Sequence, residues 1–109
     1  MSRRRFDRAL QQMRSRDQNG FDFLREHADA YVDELIAEFE NEQVDHGLRC
    51  WLLELVAEAR SARALPVLAA QLEGTDEALQ FWGIRGLEML DTPQADKELE
   101  QARAHGWIP

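Results

Sequence analysis

Cysteine, proline, glycine and lysine are all scarce in this chain, and each scarcity removes a class of structure. Cys50 is the single cysteine, so no internal disulfide can form, and a reducing cytoplasm is the compartment that suits it. Three prolines and six glycines are too few to punctuate the many turns of a β-sandwich or barrel. No apolar run nears the roughly 20 residues that a membrane-spanning helix needs. The basic start, Met1-Ser2-Arg3-Arg4-Arg5, runs into Phe6-Asp7-Arg8 instead of the apolar core of an export signal. These absences predict a cytoplasmic location and no membrane contact. Lys97 is the single lysine beside twelve arginines, a bias that points to GC-rich bacterial codon usage and carries nothing about activity.

What is abundant points to helices. Ala, Leu, Glu, Gln and Arg recur along the chain, and these side chains lose little rotamer freedom in a helix. With 44% hydrophobic and 31% charged residues over 109 positions, the expectation is one globular domain spanning 1–109, large enough to bury a core unaided. The net charge of −8 is unevenly placed. Residues 1–16 hold six arginines against Asp7, while residues 22–45 hold nine acids against Arg25. A net acidic surface repels phosphate backbones, so no nucleic-acid partner is expected. The basic first segment is read as an amphipathic helix whose arginines pair with the acidic stretch behind it.

Apolar residues recur at helical spacing nearly everywhere. Phe6, Ala9, Leu10 and Met13 predict a first helix over 3–16, a basic N-terminal capping helix within residues 1–17. Asp17-Gln18-Asn19-Gly20 reads as an interruption, followed by a short helix through Phe21, Leu24 and Ala28. Tyr31, Val32, Leu35, Ile36 and Phe39 mark a third helix. Asp45 caps a fourth that carries Leu48, Leu52, Leu55, Val56 and Ala59. Arg60-Ser61-Ala62 breaks that helix. Leu65, Leu68, Ala69 and Leu72 mark a fifth, with Pro66 in its first turn. Gly74-Thr75-Asp76 ends the fifth and caps a sixth through Leu79, Gly83, Gly86, Leu87 and Leu90. Thr92 and Pro93 open a last helix through Ala95, Leu99 and Ala102 to Gly106. Short connections predict antiparallel neighbours, stacked as helical hairpins over residues 18–105. Two glycines on one face of the sixth helix predict close approach by a neighbouring backbone.

An internal repeat underlies this pattern. At an offset of 31, Leu48-Arg49-Cys50-Trp51 falls on Leu79-Gln80-Phe81-Trp82, Val56 on Leu87 and Ala59 on Leu90. A period in the low thirties over helix pairs means units that bury their apolar faces on one another. Leu48-Arg49, the following turn, and Ala64-Leu65-Pro66-Val67-Leu68 with Leu72 resemble the short HEAT-like repeat of phycobilisome-lyase-like proteins and bacterial adaptors. A second copy carries Gly83, Gly86 and Asp91-Thr92-Pro93 at the matching places. The resemblance covers roughly residues 30–105 and departs at Arg60-Ser61-Ala62 and at Gln80, where Arg is usual. It implies an all-α, right-handed α-solenoid of about three antiparallel helical hairpins, with a concave side that holds a partner. As to function it is nearly silent.

The expected function is a small protein-interaction module, an adaptor or regulatory binder without catalysis of its own. The alternative is an accessory subunit of an enzyme, of the lyase or base-excision HEAT-like kind. Trp51 and Trp82 recur at one repeat position, beside Glu54, Glu58, Arg85 and Met89, and aromatics of this kind anchor partners. Their competing reading is packing between helices. With the acids of the third helix, Asp33, Glu34 and Glu38 among them, they form the expected surface for a basic protein partner, and a homo-oligomer is a further possibility. No cofactor is expected. His27, His46 and His105 lie at no metal-ligand spacing. Cys50 reads as an ordinary helix thiol, although His46 stands four residues before it.

Overall fold

The computed structural model describes residues 3–109; the first two positions of the expected capping helix, Met1 and Ser2, lie outside them. Among the described residues every regular element is helical, and no helix is long and apolar enough to cross a membrane. The elements are α1 (Arg4–Arg14), α2 (Gln18–Glu26), α3 (Val32–Asn41), α4 (His46–Glu58), α5 (Leu65–Ala70), α6 (Glu77–Leu90) and α7 (Pro93–Ala104). Short 3-10 turns over Ala28–Tyr31 and Ala62–Ala64 lead into α3 and α5.

Local chemistry sets the helix starts. Asp17, Asp45 and Asp76 stand just before α2, α4 and α6, and their carboxylates accept from the backbone N–H of Asn19, Leu48 and Leu79, each at 3.0 Å. Thr92 accepts from the N–H of Ala95 at 3.2 Å, with Pro93 first in α7. Such side chains satisfy donors that a helix start otherwise leaves orphaned.

Two expectations about these segments are corrected. The break expected at residues 17–20 falls at 15–17. Asp17 caps α2, and Gln18-Asn19-Gly20 form its first turn. Gly20 is buried there, because a Cβ on it would stand 2.2 Å from the Ala9 carbonyl oxygen and 2.8 Å from Gln12 Cβ. It admits the α1 backbone. The helix expected through Tyr31 starts instead at Val32, after a tighter turn that keeps Ala28 and Tyr31 buried.

Neighbours in sequence pack as hairpins: α1 on α2, α3 on α4, α5 on α6. Across the hairpins α4 touches both α2 and α6, while α5 touches α7. The even-numbered helices thus form one layer with α4 at its centre, and each odd-numbered helix packs against a member of it, within 42 × 26 × 19 Å. Two helix layers about 10 Å apart fit the shortest dimension. Phe6, Met13, Leu35, Phe39, Leu52 and Leu87 are among the buried side chains of the single core.

The close backbone approach expected at Gly83 and Gly86 is present at Gly83 alone; at Gly86 the close neighbours are side chains. A Cβ on Gly83 would lie 2.8 Å from the Leu68 carbonyl oxygen and 3.0 Å from Gln71 Cβ, the arrangement Gly20 makes with Ala9 and Gln12. The first and third hairpins therefore cross in the same way. Gly86 faces the Leu68 methyls and, at 3.1 Å, Ala57 Cβ of α4.

Candidate functional site

The residues singled out on α4 and α6 are repeat equivalents: Trp51 with Trp82, Glu54 with Arg85, Glu58 with Met89. All but Arg85 are half-buried, with the tryptophans on the flank of each helix's Leu-rich stripe. Trp51 packs against the core, its ring 5.2 Å from that of Phe21 on α2. It fills the α2–α4 junction. Trp82 also lies against the core, and its ring meets Phe81 edge-on at 5.0 Å. Both tryptophans are thus part wedge and part surface, because the large indole spans from the stripe to the rim of the helix.

Around Trp51 lies a charged group that the sequence resolved only in part. Glu58 pairs with Arg25 of α2 at 3.7 Å. Burial pushes the Glu54 carboxyl above its ordinary value; Arg25 opposes the shift and Glu58 adds to it. Arg25 was not among the expected site residues. Arg85 on α6 is exposed, and no ion pair holds it among the described residues.

The α3 acids go elsewhere. Asp33 pairs with Arg63 in the α4–α5 connection, and Glu38 lies 3.7 Å from Arg3 and 3.8 Å from Arg14. Glu34 is half-buried. Beyond α3, Glu42 binds Arg14 at 2.7 Å and Asp45 binds Arg16 at 2.6 Å. The basic first segment pairs with the acidic one behind it, as its charge pattern predicts. Asp33 and Glu38 hence face α1 and the α4–α5 connection, away from the tryptophan side of α4.

Two devices recur with the repeat, the first within hairpins and the second between them. Arg49 reaches back to the carbonyls of Phe39 and Glu42, its guanidinium 4.2 Å over the Phe39 ring, and so closes the end of α3. Gln80, its equivalent, donates to the Leu72 carbonyl at 2.8 Å beyond α5. The glutamine keeps a donor where the HEAT-like pattern has arginine. It also donates to the Trp107 carbonyl at 2.8 Å, fastening the C-terminal turn. The second device is a pair of rungs, each ending on the cap aspartate of the next hairpin's even-numbered helix: Arg16 to Asp45, and His46 to Asp76 at 2.6 Å.

Cys50 completes that second rung. Its sulfur lies 3.7 Å from His46 Nε2 and 3.9 Å from Nδ1. Sequence spacing brought His46 to Cys50 but not Asp76, which is one repeat farther on. Its position as the cap equivalent to Asp45 was the available signal. The thiol stands almost equally far from both ring nitrogens, and Nε2 already binds Asp76, so no nitrogen is aligned to take the thiol proton. Burial and the Asp76 charge also raise the thiol above its ordinary value, the reverse of an activated nucleophile. The cluster joins α4 to α6. Among the described residues no group of three or more His, Cys, Asp or Glu is placed to hold a metal ion.

These rungs have a pH dependence with a definite sign. Hydrogen bonds hold three carboxyls below their ordinary values: Asp76 by the Leu79 N–H and then His46, Asp45 by Arg16 and then the Leu48 N–H, and Glu42 by the Asp45 N–H and then Arg14. A lowered folded pKa contributes stability that is complete above the unfolded value and lost as pH falls through the folded one. The expected melting profile is flat from about pH 7 to 5 and falls below about pH 4. Asp76→Ala is expected to start about 1 kcal/mol lower at pH 7 and to fall less steeply in acid. Thermal melts across pH check both.

No family model, no curated protein and no solved structure matches this chain.

Proposed function

We propose that the chain is a right-handed HEAT-like α-solenoid working as a small cytoplasmic protein-interaction module without chemistry of its own. Recurring hairpin crossings at Gly20 and Gly83, the Arg49 and Gln80 closures and the cap rungs support the repeat reading. The partner surface runs along Trp51, Glu54 and Glu58 of α4 and Trp82, Arg85 and Met89 of α6, and suits a segment offering a cation to Glu54 and an apolar side chain to Trp82.

The observation that carries this reading is Glu54. Its carboxyl is held half out of water beside a second acid, Glu58, with its pKa raised. A raised carboxyl pKa costs stability above the unfolded value, so folding alone gives no reason for the charge. Residues that trade stability for binding behave this way.

Glu54→Gln should leave the fold intact or raise its stability by no more than about 1 kcal/mol, since solvent still screens the group. The same change should weaken capture of a stoichiometric protein partner from the native host by about tenfold. Melting and affinity purification of both proteins check the pair of outcomes. Unchanged capture, or a co-purifying pigment or nucleic acid in place of a protein, would reject the reading.

A further inference from the structure

The exposed residues of α6 are Glu77, Ala78, Phe81, Arg85 and Glu88. They form one straight stripe, as spacings of three and four do on a helix. Phe81 sits mid-stripe, 56% exposed and braced edge-on by Trp82. On α4 part of the equivalent face is used for packing. His46, 31 residues before Glu77, reaches Asp76, and Ala57, 31 before Glu88, lies against Gly86. On α6 no further even-layer helix follows among the described residues.

The charges on this stripe are arranged about Phe81. Glu77 lies four residues before it and Arg85 four after, and neither has an ion-pair partner among the described residues. A helix face whose charge changes sign across its apolar centre complements itself when turned antiparallel.

We infer that the α6 stripe pairs with the same stripe of a second copy of this chain, antiparallel about a two-fold axis at Phe81. Phe81 then meets Phe81 of the second copy, and each Arg85 meets the other copy's Glu77. A two-fold interface requires one patch to be complementary to itself, and Glu77, Phe81 and Arg85 meet that condition. One helix against one helix covers less than the roughly 1,600 Å² of a standard stable interface, so the dimer is reversible and depends on concentration. The inference does not rest on the partner-binding reading, which is carried by Glu54; the two share Arg85, and Phe81→Asp, outside that partner surface, separates them.

Sedimentation equilibrium over a concentration series tests it. The wild type is expected to double its mass as concentration rises towards about 1 mM, the range of a marginal interface. Arg85→Glu should weaken the dimer by about tenfold or more. The double exchange Glu77→Arg with Arg85→Glu should restore it, which no general loss of stability would mimic. Phe81→Asp should give a monomer of unchanged helicity. In a Cys50→Ser background, Phe81→Cys should oxidise to a disulfide-linked dimer while Glu100→Cys on α7 stays monomeric. A wild type monomeric throughout, a Phe81→Asp dimer, or a double exchange that stays monomeric would each overturn the inference.

Discussion

Gly20→Ala is expected to destabilise the protein by about 2–3 kcal/mol, because one methyl group overpacks the α1–α2 crossing. The loss should appear although alanine favours a helix over glycine by up to about 1 kcal/mol. The reason is the nature of the neighbour. The added Cβ would stand 2.2 Å from the Ala9 carbonyl oxygen, a backbone atom that moves only if α1 moves. At Gly86 the nearest atoms are the Leu68 methyls, which rotate, so Gly86→Ala should cost less. Gly47, facing the end of the Arg16 side chain, is the tolerant control. Denaturant unfolding of the three alanine variants checks the order. A Gly20→Ala protein as stable as wild type would mean that α1 and α2 are not in such close contact.

The second large effect is expected at Trp51. Trp51→Ala should cost about 3 kcal/mol, the lower end for a tryptophan because the ring is only partly covered. It removes the partner of Phe21 and opens the α2–α4 junction. Trp82→Ala should cost about half as much, since its ring partner Phe81 is itself exposed. Unfolding midpoints for the two variants separate these values. Equal losses would show that both repeats use the position identically.

Helix order was legible because the stripes and caps are local. Asp45, Asp76, Thr92 and Pro93 act where their sequence context places them. Gly20 was not, since a glycine that ends a helix and one that admits a neighbouring backbone look alike in sequence. What separates them is the buried crossing with Ala9, a contact made in space. The tryptophan positions were legible through the repeat, but their mixed burial depends on contacts made in space, with Phe21 for Trp51 and with the exposed Phe81 for Trp82. The acids of α3 were legible in part for a similar reason. Their density marked an exposed stretch but not its partners, which for Asp33 and Glu38 are Arg63, Arg3 and Arg14 once the hairpins stack.

The central place of α4 has a consequence for how the chain reaches this state. It is the one helix in contact with α2, α3 and α6 together, while the α1–α2 and α5–α6 pairs can each form from residues close in sequence. Local pairs collapse early, because closing a short loop loses less entropy than closing a long one. The hairpins can therefore form independently, and α4 is where they become one cooperative unit. Weakened packing on α4 should slow the approach to the native state, whereas equal losses on α1 or α7 would mostly hasten departure from it.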